Sequence, residues 1–182
     1  MSLLALDLGT SCGWALERDC APIQSGTVEF AKRAKDHDGD RLLRFSQWLG
    51  GMRTDLESLH ERVDLVIYER ALGKYPGRQP QRVFDHFEAV LLLWCARNAI
   101  PIKGVSQAEL KRDAAGNGGA DKSLIGAAVR RLGHKPGSTD EADALALLLT
   151  HTGALKAAPW KKKRDTKTRE LAAPVDPNAP PF

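Results

Sequence analysis

The sequence predicts an α/β fold with a mixed sheet, and three features of the residue pattern carry that prediction. Two short apolar runs, at 3–6 and 63–68, have the length and composition of buried strands. Apolar residues then recur at helical spacing, first over 40–60. Strands that come first as a meander and later alternate with helices are typical of a sheet that combines antiparallel and parallel pairs.

The individual elements follow from the same patterns. In chain order they are strands at 3–6, 13–16 and 24–30, a helix at 40–60, a strand at 64–69, a helix at 82–98, a short strand from 100, and helices from 106, at 121–132 and at 139–151. Charged or glycine-rich stretches at 31–41, 70–81 and 115–120 are expected to be loops. Ser106 and Ser138 each precede a glutamate by three residues, which is the capping-box pattern of a helix start. Gly50 and Gly51 are expected to weaken or kink the first helix.

Length and composition favour one domain over 1–155. The chain has 182 residues, of which 42 % are apolar and 27 % charged, as in an ordinary globular protein. Residues 156–182 are first basic and then rich in proline and alanine, and they are expected to be disordered. The net charge is +4, and residues 159–182 contribute +3 of it, so the domain itself is almost neutral. Any nucleic-acid binding therefore requires a local basic surface beside an acidic site.

The sequence also favours a cytoplasmic protein that does not contact a membrane. No apolar run approaches the roughly 20 residues that a membrane-spanning helix needs. The N-terminus lacks the basic region of a signal peptide, and Asp7 interrupts its apolar run. The three cysteines, Cys12, Cys20 and Cys95, are odd in number and are expected to be buried free thiols in a reducing compartment.

Two of the predicted strands end on an acidic residue. Asp7 follows the run at 3–6, and Glu69 closes the strand at 64–69. Catalytic groups in open α/β sheets collect at the carboxyl ends of the strands. Asp140 and Asp143 are three residues apart in the first turn of the last helix, so they project on one face. Because buried carboxylates are costly unless something neutralises them, these acids predict a shared cation site.

The donor atoms of these acids indicate which cation the site would take. Carboxylate oxygens are the ligands that Mg²⁺ and Mn²⁺ prefer, and two such ions about 4 Å apart can activate a water and stabilise the leaving oxygen of a phosphodiester. Each acid alone has an ordinary structural explanation. Asp7 is compatible with a turn, Glu69 with an ion pair to Arg70, and Asp140 with a plain acid at a helix start. The prediction therefore depends on the joint pattern.

At these residues the chain resembles the RuvC family of Holliday-junction resolvases, members of the RNase H-like superfamily. The match runs in order over 3–151 and rests on segments at 3–9, 65–69, 109–111, 116–122 and 140–146. The last of these is similar to the family's Asp-Ala-Ala-Asp-Ala-Leu-Ala segment. The resemblance implies an RNase H-like fold, with a mixed five-stranded sheet flanked by helices.

The resemblance also implies a mechanism, hydrolysis of DNA phosphodiesters by a metal-activated water without a covalent protein intermediate. The implied cofactor is a pair of Mg²⁺ ions, which Mn²⁺ could replace. The implied catalytic residues that bind these ions are Asp7, Glu69, Asp140 and Asp143. Asp7 would be shared by both ions. Lys111 and Lys122 match basic residues beside the family's site and would stabilise phosphate charge in the transition state. For both lysines, a solvated position on a helix is the alternative.

Members of this family act as homodimers. The two active sites of a dimer cut opposite strands of a branched DNA substrate, the four-way junction. The resemblance therefore implies a homodimer here as well. The strongly apolar helix at 82–98 is a candidate dimer face, although a helix sandwiched in the core explains its composition equally well. Such a small resolvase would suit a bacterium or its phage.

One segment departs from the family. Family members carry an aromatic residue after the central glutamate that wedges into the junction, whereas Glu69 is followed by Arg-Ala-Leu and the nearest aromatic is Tyr75. In and beside the loop 70–81, Lys74, Arg78 and Arg82 would contact phosphates without reading sequence. We therefore expect looser junction selectivity. The basic segment 161–169 is compatible with DNA contact or with a solubilising tail.

Three other functions remain open on the sequence alone. RNase H-like nucleases with the same carboxylates also cut RNA–DNA hybrids or structured RNA. The segment 7–10 resembles the first phosphate loop of actin-like ATPases and sugar kinases, although 182 residues are too few for their two domains and no Asp-Gly-Gly adenosine motif follows. A non-catalytic DNA-binding module is the third, and the presence of all four acids disfavours it.

Overall fold

The computed structural model describes residues 1–37, 39–70, 78–116 and 123–157, without the side chains of 78–80, 115 and 157. Its strands are β1 (Leu3–Asp7), β2 (Ser11–Glu17), β3 (Gln24–Glu29), β4 (Leu65–Arg70) and β5 (Ile102–Ser106). Its helices are α1 (Asp40–Ser58), α2 (Arg78–Arg97), α3 (Gln107–Ala115), α4 (Ser123–Arg131), α5 (Thr139–His151) and a final 3₁₀ turn, Ala154–Ala157.

The strands form one sheet in the order β3-β2-β1-β4-β5. β1, β2 and β3 form an antiparallel meander, whereas β1, β4 and β5 run parallel. The parallel pairs need crossover connections, which α1 and α2 supply. The predicted α/β class and the mixed five-stranded sheet are therefore confirmed, with β1 at the centre.

Side chains alternate between the two faces of the sheet along every strand, so apolar residues lie on both faces. Helices cover each face and bury these residues. On β1, Leu3 and Ala5 join a core with α3, α4 and α5, while Leu4 and Leu6 join a second core with α1 and α2. Nearly every side chain of α5 from Ala142 onward is buried, as its apolar composition requires.

The second core contains a cluster of aromatic rings from α1, α2 and the residue that follows β3. Phe45 packs against Phe87 with ring centroids 5.0 Å apart, and Phe30 meets Phe45 edge-on at 5.4 Å. Such pairs add about 0.5–1.5 kcal/mol beyond the area that they bury. α1 continues unbroken through Gly50 and Gly51, so the expected weakening does not interrupt it.

Several predicted boundaries were wrong. α2 begins at Arg78, so 78–81 are helical rather than loop, because Pro80 lies in the first turn, where its missing N–H has no partner to lose. Residues 156–157 belong to the 3₁₀ turn rather than to a tail. The tail from 158, and residues 117–120 of the break predicted at 115–120, lie outside the described residues.

The prediction that all three cysteines are buried was wrong for Cys20. This residue is exposed and lies in the turn after β2, with a positive φ of 59°.

Both predicted capping boxes begin a helix. The Ser106 and Ser138 hydroxyl oxygens accept hydrogen bonds from the backbone N–H groups of Glu109 and Glu141, at 3.2 and 3.0 Å.

Among the described helices, none is long and apolar enough to cross a membrane.

Candidate active site

The two strand-end acids lie on neighbouring parallel strands. Leu6 of β1 pairs with Tyr68 of β4, so Asp7 and Glu69 occupy the next positions on each strand. Neighbouring strands are about 4.8 Å apart. Asp7 shares its face of the sheet with Ala5, which lies in the core beneath α5. The same alternation places Glu69 on the face of Ile67, so both acids lie on the side that α3, α4 and α5 cover.

The start of α5 comes unusually close to the strand beside Asp7. Gly13 of β2 pairs with Asp7, and a Cβ built on Gly13 would lie 1.9 Å from the Asp140 carbonyl oxygen and 2.9 Å from the Glu141 backbone nitrogen. No side chain fits there, so only glycine lets the helix backbone lie against this strand position. The close approach brings the α5 acids to the edge of the sheet that carries Asp7.

Hydroxyl groups of β2 and β3 hold the first turn of α5. Ser11 Oγ donates a hydrogen bond to Asp140 Oδ2 at 2.6 Å, which fixes that carboxylate beside the strand. Ser25 Oγ donates to Glu141 Oε1 at 2.7 Å. Thr27 and Ser138 share a further hydrogen bond of 2.6 Å. Together these bonds orient Asp140 before any ligand binds, as outer hydrogen bonds do for metal-binding carboxylates.

Asp143 lies one helical turn beyond Asp140 and is only 3 % exposed. A carboxylate at such depth is expensive unless charge or hydrogen bonds compensate it. Burial raises the pKa of the Cys12 thiol on β2, and the negative charges of Asp7 and Asp140 raise it further. Asp7 and Asp140 therefore both lie within electrostatic range of Cys12.

On the opposite face, Tyr68 fixes β4 immediately before Glu69. Its hydroxyl donates a hydrogen bond to Glu88 Oε1 of α2 at 2.7 Å, and burial raises the pKa of the Tyr68 phenol to about 12. This hydrogen bond to α2 therefore holds the end of β4 on the face of the sheet opposite to the acids.

The other predicted site residues are placed less completely. Lys111 is half-buried on α3, the helix that begins at the end of β5, and Arg82 is exposed on α2. Lys74, Lys122 and the Arg78 side chain lie outside the described residues. Within the part of the chain that is described, no group of three or more acidic, histidine or cysteine side chains is already arranged to hold a metal ion.

Sequence reasoning missed the residues that position α5. A glycine within a predicted strand signals a close approach, so Gly13 could have been found. Nothing local marks Ser11, because its partner Asp140 lies 129 residues away.

No protein-family model matches the chain. The crossover junction endodeoxyribonuclease RuvC of Streptomyces avermitilis is 32 % identical over 158 residues, covering 83 % of this chain and 86 % of the relative. The chain belongs to the RuvC family. The RuvC of Streptomyces griseus is 31 % identical over 162 residues, covering 83 % and 74 % of the two chains. That of Corynebacterium efficiens is 29 % identical and spans 97 % of this chain and 76 % of the relative.

Solved structures agree on the fold. Thermus thermophilus RuvC in complex with a Holliday junction substrate superposes with a TM-score of 0.67 at 22 % identity, covering 86 % of this chain and 96 % of that one. A second structure of Thermus thermophilus RuvC gives a TM-score of 0.64. The predicted RNase H-like fold of the RuvC family is therefore confirmed.

Proposed function

We propose that the protein is a metal-dependent, structure-selective DNA endonuclease that resolves Holliday junctions and other branched DNA by phosphodiester hydrolysis, in DNA recombination and repair. The observation that carries this proposal is the contact between Gly13 and the start of α5, which brings Asp140 to the strand end of Asp7. A member of the RuvC family that gathers acids at this edge has the groups that such hydrolysis needs.

The donor atoms of the four predicted acids suit a divalent cation, although their side chains do not form a group of three or more ligands around one point in the described part of the structure. Their donors are all carboxylate oxygens, which suit Mg²⁺ or Mn²⁺, and a buried carboxylate such as Asp143 is the kind of group that a cation stabilises. The residues that would hold the metal, two ions in our proposal, are Asp7, Glu69, Asp140 and Asp143. Bound there, the metal would activate a water and stabilise negative charge on the phosphodiester.

The surrounding residues bind and orient the substrate in this proposal. Ser11 keeps the Asp140 carboxylate directed to the site through its 2.6 Å hydrogen bond. Lys111 and Lys122 neutralise charge that develops on the phosphate. Lys74, Arg78 and Arg82, in and after the loop that follows β4, bind the backbone of the branched DNA.

A panel of synthetic substrates tests the proposal. The full chain is incubated with a four-way junction, a flap, a fork, plain duplex and an RNA–DNA hybrid, in Mg²⁺, in Mn²⁺ and in EDTA. We expect paired cuts in the junction with either metal, slower cutting of plain duplex, and no cutting in EDTA.

Each contrary result points to a different function. Faster cutting of the hybrid than of any DNA would replace the proposal by an RNase H-type activity. Tight junction binding without cleavage in either metal would indicate a non-catalytic binding module.

The proposed assembly is a homodimer, and α2 offers a face for it. Phe87 and Leu91 of this helix are buried in the core, whereas Leu92 and Leu93 are 43 % and 52 % exposed. Two adjacent exposed leucines, on a helix whose other side is packed in the core, suit a subunit contact. In this proposal one side of α2 packs in the core and the exposed leucines on the other side form the dimer contact.

Changing both exposed leucines to glutamate (L92E/L93E) is expected to separate the dimer. Each buried leucine contributes about 1.5–3 kcal/mol, so the dimer dissociation constant should rise at least about 100-fold. Light scattering after gel filtration measures the mass. Leu43→Glu is the control, because Leu43 is an equally exposed helical leucine, at 57 %, on α1. A monomeric wild type, or a double variant that stays dimeric, would rule out this face.

A further inference from the structure

The segment 31–37, between β3 and α1, is a basic loop with a defined shape. Lys32, Arg33 and Lys35 are exposed on it. Its acid Asp36 is held by Arg44 of α1, whose Nη1 and Nη2 donate hydrogen bonds to Asp36 Oδ1 and Oδ2 at 3.0 and 2.7 Å. This two-pronged geometry is the strong form of an arginine–carboxylate pair.

Two further hydrogen bonds close the loop. The Arg33 backbone N–H donates to Asp36 Oδ2 at 2.8 Å, and Arg44 Nη2 also donates to the Ala31 carbonyl oxygen at 3.1 Å. The hydrogen bonds from Arg44 hold the pKa of Asp36 at about 2. Asp36 is therefore ionised and its charge is matched by Arg44, so Asp36 does not cancel the positive charges of Arg33 and Lys35 on the exposed side of the loop.

The position of this loop relates it to the candidate site. The Phe30 backbone N–H donates to the carbonyl oxygen of Thr10, in the turn that follows Asp7. The loop therefore begins at the same edge of the sheet as the acids. β3 lies two strand spacings, about 10 Å, from β1.

DNA that approaches this edge meets several carboxylates, which repel phosphates in the absence of compensating charge. The chain outside 159–182 is nearly neutral, so attraction must come from a local group of cations. A loop that is already ordered loses little conformational freedom on binding, which favours affinity.

We propose that loop 31–37 is a phosphate-binding element, in which Arg33 and Lys35 contact the backbone of the DNA arm beside the cleaved strand. The inference rests on the proposed nuclease function and deepens it, because it assigns a binding surface outside the loop after β4. The contacts are electrostatic and independent of base sequence.

The test measures junction affinity and its dependence on salt. Binding of a labelled four-way junction in EDTA is followed by fluorescence anisotropy between about 50 and 200 mM salt. For the double variant Arg33→Gln/Lys35→Gln we expect roughly tenfold weaker binding at low salt and a log–log salt slope smaller by about two, one per lost phosphate contact. An unchanged melting temperature shows that the variant is folded, and the charge-preserving variant Arg33→Lys/Lys35→Arg should recover the slope.

A matched control removes two cations at the opposite edge of the sheet. Arg53 and Arg62 line a pocket there, and their surface ion pairs with Glu57 and Asp64 contribute little to stability. Arg53→Gln/Arg62→Gln is expected to keep the affinity, the slope and the cleavage rate.

The outcomes separate this inference from the function on which it rests. If the loop variant binds with wild-type affinity and slope while the wild type cuts junctions, the loop proposal fails and the function stands. Equal losses in the control variant would also overturn it, because the effect would then be one of overall charge. A wild type that neither binds nor cuts branched DNA removes both proposals.

Discussion

Replacing Asp143 by asparagine is expected to lower the rate of junction cleavage by about 10³-fold or more while the protein stays folded. Asp143 is 3 % exposed and lies one turn beyond Asp140 on α5. Asparagine keeps the shape of the side chain but removes the negative charge that a divalent cation requires. The expected loss corresponds to about 4 kcal/mol of transition-state stabilisation.

Single-turnover cleavage and Mn²⁺ binding, measured together on Asp143→Asn, separate the loss of metal from a loss of fold. Asp113→Asn is the matched control, because Asp113 is another acid with a largely enclosed side chain, which is 8 % exposed, on α3 and paired with Lys156 at 3.5 Å. The control should bind Mn²⁺ and cut junctions as the wild type does. Wild-type cleavage by Asp143→Asn would remove Asp143 from the proposed site.

The parts of the fold that local patterns encode could be predicted from the sequence. The apolar run at 3–6 became β1, and the capping residue Ser138 does begin α5. Strand ends and helix starts depend on residues close in sequence, and this is why the positions of Asp7 and Asp140 within their elements were predictable. The strand predicted to close on Glu69 continues for one more residue, to Arg70.

The parts of the fold that depend on long-range contacts could not be predicted from the sequence. The hydrogen bond from Ser11 to Asp140 joins residues 129 positions apart, and no pattern near either residue indicates it. The division of α2 into a buried side and an exposed side around Leu92 required knowing where α1 packs. The ordering of loop 31–37 likewise depends on Arg44, which sequence reasoning had placed only within a helix.

Gly13 connects these two kinds of information, because a local glycine makes the long-range contact possible. Gly13→Ala is expected to destabilise the protein by about 3 kcal/mol, since the new methyl group meets the backbone of Asp140 rather than a flexible side chain. It should also lower cleavage about 100-fold, because displacing the start of α5 by an ångström moves Asp140 away from Asp7. Urea unfolding gives the free energy of unfolding, and cleavage of the same preparation gives the rate.

Gly51→Ala is the matched control, because a Cβ there meets nothing within 4 Å and the residue lies inside α1. Alanine at that helical position is expected to leave cleavage unchanged and to raise the free energy of unfolding by up to about 1 kcal/mol. The two glycines therefore predict opposite changes in stability for the same substitution. If Gly13→Ala were as stable and as active as Gly51→Ala, α5 could not lie against β2 at Gly13, and the contact that carries the proposed function would be wrong.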